Sequence, residues 1–163
     1  MRSNAILQLF VAIAPFAPTT DAGAHEEKSA VTVTAANPFP ASAAEKVVDA
    51  FHAALQRGDV AAAAHLAEDA LIYESGAVER SKVEYASHHL AADAAFAKAT
   101  TRAVTKRSGR TVGDFAWVAT ESTTKGTYRD RAINSVSTET MVLRRQNGAW
   151  RIVHVHWSSA NVK

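Results

Sequence analysis

With 163 residues, 47% hydrophobic and 21% charged, the chain has the apolar content of one ordinary soluble domain. Its formal charge of +2 is too small and too dispersed to call for nucleic acid, and the basic run "TKRSGR" (105–110) reads as a solvated turn. Lack of cysteine excludes disulfides and thiolate metal sites.

The first element is a leader. Arg2 precedes the apolar stretch "AILQLFVAIAPFA", and Ala22-Gly23-Ala24 follows as a small-residue cleavage pattern. The stretch is short of the roughly 20 residues that span a bilayer. Residues 1–24 are therefore expected to be a signal peptide directing a periplasmic or secreted protein with no membrane span after cleavage. Residues 25–41, polar and proline-containing, are expected to be a flexible leader to a domain at 42–160.

Ser42-Ala43-Ala44-Glu45 has the form of a capping box opening a helix over 43–57, with Val47, Val48, Phe51, Ala54 and Leu55 as its apolar positions and Gly58 at its end. Asp59 can cap a second, short helix over 60–66. "ALIYES" (70–75) reads as a strand, and Ser81-Lys82-Val83-Glu84 opens a helix over 82–98. The period then changes to two in 112–128, 133–145 and 149–157, with Gly126 and Asn147-Gly148 as punctuation. Helices first and antiparallel strands afterwards define an α+β fold, the helices covering one face of a curved sheet.

Polar residues on the expected inner faces mark the candidate site. On the third helix Val83, Ala86, Leu90, Ala94 and Ala97 form an apolar face flanked by Tyr85 and Phe96, and His89 and Asp93 fall within that arc. They are either a mutually bonded structural pair or ligand-binding groups. On the last strand Trp150, Ile152, His154 and His156 share one face, while Arg151, Val153, Val155 and Trp157 share the other. With the first face turned to the helices, His154 and His156 would meet His89 in a cavity. Three imidazoles there suit zinc or copper, or hydrogen bonds to an organic ligand. Val153, Val155 and Trp157 would then form an outer face for a homodimer. Glu74, at a strand end beside Gly76, is either a cavity-mouth carboxylate or a surface one.

The segments "VVDAFHAALQRGDVAAAAHLAEDALIYES" and "STETMVLRRQNGAWRIVHVHWSS" give residues 45–159 a resemblance to the nuclear transport factor 2-like superfamily. Its cone-shaped α+β fold is shared by ketosteroid isomerases and SnoaL-type polyketide cyclases. The second segment is similar to the association domain of calcium/calmodulin-dependent kinase II, which also ends in a Trp followed by V-H-x-H-x-S. The resemblance implies a cone-like antiparallel sheet wrapped around three N-terminal helices, with the last strand lining a pocket. It puts Glu74 at the isomerases' catalytic base and Phe51 where they carry a tyrosine donor. His89, Asp93, His154 and His156 have no counterpart in that machinery and are similar instead to an exported branch with "EYASHHLAAD" and "HVHWSS" signatures. Three functions follow as expectations. One is a pocket for a small molecule or metal ion, with Glu74, Tyr85, His89, Asp93, His154 and His156 around it. Another is a lyase, isomerase or cyclase in which Glu74 abstracts a proton α to a carbonyl and a histidine steadies the enolate. The last is a structural dimer with an incidental cavity.

Overall fold

The first helix, α1 (Ser42–Gln56), buries Ala44, Val48, Phe51, Ala54 and Leu55, one stripe at helical spacing. The computed structural model describes residues 41–162, so the expected signal peptide and nearly all of the leader lie outside the described residues. Ser42 does not cap α1. Ala41 takes that position, its carbonyl accepting from Glu45 N at 2.8 Å. The reason is packing: Ala41 is buried against Gly109, where any side chain would begin 2.8 Å from the Ala41 Cβ.

Asp59 does cap the next element, accepting from Ala61 N at 2.8 Å, but that element is a 3-10 helix, Val60–His65. Strand β1 (Leu66–Glu74) and the short β2 (Ala77–Glu79) follow. Ser81 caps the next helix through Glu84 N at 3.0 Å. The single helix expected over 82–98 is broken at His89 into α2 (Lys82–His88) and α3 (Leu90–Ala99). Four long strands complete the domain: β3 (Thr100–Val112), β4 (Phe115–Tyr128), β5 (Arg131–Gln146) and β6 (Ala149–Asn161). Among the described residues no helix is long and apolar enough to cross a membrane.

The six strands form one sheet in the order β2-β1-β6-β5-β4-β3. It is antiparallel except where β1 runs parallel to β6, a departure from the all-antiparallel expectation. Residues 105–110 are not a turn but part of β3, and all except the bulged Thr105 are paired with β4. Arg107 reaches Asp49 of α1 at 2.7 Å, so long-range pairing overrides the polar local signal. Gly126 lies within β4 rather than ending a strand. A side chain there would meet the Ala99 carbonyl at 2.8 Å. The turn comes instead at Arg129-Asp130, and the last turn at Asn147-Gly148. In both pairs each residue has positive φ, the geometry that matches the twist of a hairpin.

The decisive irregularity is in β6. Leu143 of β5 faces Ile152, but the next residue, Val142, faces His154, leaving Val153 as an extra residue in a β-bulge. A one-residue slip exchanges the faces of everything beyond it. Val155 therefore enters the core and Trp157 turns towards α1, stacking on Phe51 with ring centroids 6.3 Å apart. His154 and His156 turn to the opposite face, edge-on to Tyr73 at 5.2 and 6.3 Å. Burying a valine and a tryptophan side chain contributes on the order of 2 kcal/mol each. Two unpartnered imidazoles in the same places would cost that much or more. Val153, Val155 and Trp157 accordingly do not form the expected outer dimer face, because the last two are inside.

Candidate functional site

Between the helices and the inner face of the sheet lies a cavity of about 460 Å3. Strand register places its key residues. Glu74 on β1 stands beside Trp157 on β6, which stands beside Glu139 on β5. With strands about 4.8 Å apart, the two carboxylate-bearing positions are roughly 10 Å apart across the indole. From the helices, α1 contributes His52 and Leu55, and α3 contributes Asp93, Phe96 and Ala97.

On one side of Trp157 sits a group of acids. Burial raises the proton affinity of Glu74 above the ordinary carboxylate range, and the negative charge of Asp93 raises it further, while His89 partly offsets both. Burial also raises Asp93, against the opposing effects of a hydrogen bond from Tyr85 Oη at 2.8 Å and of His89. Tyr85 is fully buried, and burial together with Asp93 holds its phenol far above the usual value, so it stays a donor. The two acids thus line one cavity, and the charge on Asp93 resists the ionisation of Glu74.

On the other side burial acts on Glu139 in the same sense but is outweighed. His52 Nε2 lies 2.6 Å from Glu139 Oε2, and Trp157 Nε1 donates to the same oxygen at 2.7 Å. Arg102 adds its charge with Nη2 at 3.6 Å from Oε1. Burial would raise Glu139, but the hydrogen bond and charge of His52, then Trp157 and Arg102, bring it below the ordinary range. It is a carboxylate held ionised although only 4% exposed.

Of the residues expected to form the site, Glu74 and Asp93 line the cavity and Tyr85 supports Asp93 from the core. His89 does not bond to Asp93. It occupies the exposed α2–α3 junction with Nδ1 paired to the buried carboxylate of Glu79. His154 is paired through Nδ1 with the Leu71 carbonyl at 3.0 Å, and His156 lies exposed beside Tyr73. The three histidines are thus not brought together, and among the described residues no three His, Asp or Glu side chains gather to hold a metal. The zinc or copper site expected of them is corrected by the bulge at Val153.

Sequence reasoning missed His52, Arg102, Glu139 and the inward turn of Trp157. Two of these left a signal: His52 is four residues after Val48 and three before Leu55 on the buried stripe, and Glu139 continues the alternation of Leu143 and Met141. Arg102 left none, since its strand reads as polar throughout. Phe51, at the isomerases' tyrosine position, is fully buried under Trp157, so no hydroxyl is presented from that place.

A family model for the SnoaL-like domain matches residues 44–162. The chain belongs to that family. A candidate ketosteroid isomerase from Shewanella frigidimarina is 45% identical, covering 71% of this chain and 94% of its own, with a TM-score of 0.69. A candidate calcium/calmodulin-dependent kinase II association domain from Xanthomonas campestris is 22% identical, covering 77% and 93%, with a TM-score of 0.65. The association domain of the Caenorhabditis elegans kinase is 20% identical, covering 71% and 92%, with a TM-score of 0.58. These last two share the fold. No curated protein matches the chain.

Proposed function

We propose that the protein is a proton-transferring enzyme of isomerase or cyclase type, acting on a small carbonyl compound held in the cone cavity. The observation that carries this reading is the Glu74–Asp93 pair: two carboxylates lining one cavity, both with proton affinity raised by burial, that of Glu74 further by the charge of Asp93. In its singly protonated form such a pair divides labour, one acid ionised and the other carrying the proton. Glu74, in the ionised form, takes the proton from the carbon α to the carbonyl, and the C–H electron pair moves into the carbonyl to form an enolate. In that singly protonated form the proton sits on Asp93, oriented by the Tyr85 hydroxyl, and is donated as a hydrogen bond to the enolate oxygen. If the Glu74 proton first exchanges with solvent, its return labels the α carbon; with an unsaturated ketone, its return to the far end of the dienolate shifts the double bond, which is isomerisation. A donor at the oxyanion is worth roughly 2.7–4 kcal/mol. Since Phe51 presents no hydroxyl, we assign that donor to Asp93, which lines the cavity.

The test is enzyme-dependent deuterium incorporation at the α carbons of a fused bicyclic ketone, 2-decalone, in heavy water, followed by proton NMR. Wild type is expected to accelerate exchange, and Glu74→Gln to lose about 10²–10⁴-fold of that acceleration. Equal exchange in the two proteins would remove Glu74 from the mechanism.

A further inference from the structure

The Glu139 side of the cavity contains a mismatch that the proton-transfer chemistry does not use. Glu139 Oε2 receives two donors, yet Oε1 has no hydrogen-bond partner among the described residues. Arg102 Nη2, 3.6 Å away, has none either. Both residues line the cavity. Buried polar atoms are nearly always hydrogen-bonded, so a free acceptor facing a free donor points to a group that serves both.

We propose that Arg102 and Glu139 form a hydroxyl-recognition subsite, in which a ligand's alcohol oxygen donates to Glu139 Oε1 and accepts from Arg102 Nη2. An oxygen about 2.8 Å from each atom fits between two that are 3.6 Å apart. The chemistry excludes the other common groups. A carbonyl or carboxylate has no proton for Glu139, whose low proton affinity keeps it an acceptor. An ammonium has no lone pair for Arg102 and would face its charge. A hydroxyl meets both, whether of a ligand alcohol or of a water that the alcohol displaces.

The surroundings extend the argument to the class of ligand. Ser122, Ser137 and Ser159 are aligned across β4, β5 and β6, and Ser137 lies two residues along β5 from Glu139. All three line the cavity, so the wall beside the subsite is hydroxylated. Leu55, Phe96 and Ala97 supply an apolar wall from the helices. The ligand class is therefore an apolar-bodied hydroxy ketone. Its placement of the ketone at Glu74 rests on the proposed function above, whereas the hydroxyl subsite stands on Arg102 and Glu139 alone.

Four probes separate the two ideas: decalones bearing a hydroxyl, a ketone, a carboxylate or hydrogen on the ring carbon farthest from the carbonyl. Binding is measured by calorimetry on the wild-type chain, and α-deuterium exchange on the same samples. The hydroxyl probe is expected to bind about ten- to a hundredfold tighter than the hydrogen probe, the gain from hydrogen bonds to charged groups. The ketone and carboxylate probes should show no gain. In Arg102→Met the hydroxyl preference should fall to near one. Equal binding of the hydroxyl and hydrogen probes, tightest binding of the carboxylate, or no binding of any probe at millimolar concentration would overturn the subsite. Hydroxyl preference without exchange would uphold the subsite and sink the enzymatic reading. Exchange without preference would do the reverse.

Discussion

Glu74 and Glu139 flank the same indole and are buried by the same cavity, yet their proton affinities move in opposite directions. Around Glu139 the desolvation is offset by two donors at hydrogen-bond distance and a nearby guanidinium. Around Glu74 the largest influence besides burial is another acid. The difference teaches that depth in the cavity does not decide ionisation here; the partners do. The Glu139 side is a fixed anion suited to holding something still. The Glu74 side is a pair of acids suited to exchanging a proton.

The most direct way to break the comparison is to remove its better-satisfied member. Glu139→Ala leaves His52 and the Trp157 Nε1–H without an acceptor and Arg102 without its counter-charge. Losing one side of a buried ionic cluster is expected to cost about 3–5 kcal/mol of folding stability. Urea unfolding should show the midpoint falling with the slope unchanged. A loss below about 1 kcal/mol would mean that the cluster is solvated and the contrast unreal.

A smaller change sharpens it. Trp157→Phe keeps an aromatic ring against Phe51, now 6.3 Å from the indole, and removes one of the two donors to Glu139 Oε2. A hydrogen bond to a charged group is worth about 1.5 kcal/mol at the low end, and that loss is expected. The Glu139 carboxyl carbon, followed by NMR, should titrate at higher pH than in wild type. An unmoved titration would assign its ionisation to His52 and Arg102 alone.

How much of this was legible in the sequence depends on the range of the interaction. Asp59 and Ser81 as caps, the buried stripe of α1 and the Asn147-Gly148 turn are local, and each is where its neighbours in sequence predict. Asp93 was found because a helical angle needs no knowledge of the sheet. The faces of β6 are not local. They depend on whether Val153 pairs or bulges, which is decided by β5 and by the gain from turning Val155 and Trp157 inward. Two histidines that strand parity would send to the cavity are therefore outside it, and a tryptophan expected outside separates its two carboxylates. Arg102 and Arg107 were hidden for a related reason: β3 is a strand because β4 pairs with it, not because its own residues alternate.

The smallest expected effect tests the sign of the contrast through pH. For Glu139 the folded state holds its proton more weakly than the unfolded chain, so its contribution to stability is complete above the ordinary glutamate value of 4.5 and is lost as pH falls through the lower folded value. For Glu74 the folded state holds its proton more strongly. Its contribution is present below 4.5 and is lost as pH rises through the higher folded value, leaving a net cost at neutral pH. Glu74→Gln keeps the shape but cannot ionise, so it removes the cost of burying that charge beside Asp93. It should therefore unfold at higher urea than wild type at pH 7, by on the order of 1 kcal/mol, a common gain when an active-site group is neutralised. Well below pH 4.5 the two proteins should converge, because Glu74 is then protonated in both states of the wild type. The same variant is expected to lose proton exchange, so activity and stability should move in opposite directions at neutral pH. A variant less stable than wild type at pH 7, or a difference independent of pH, would show that Glu74 is satisfied in the fold much as Glu139 is.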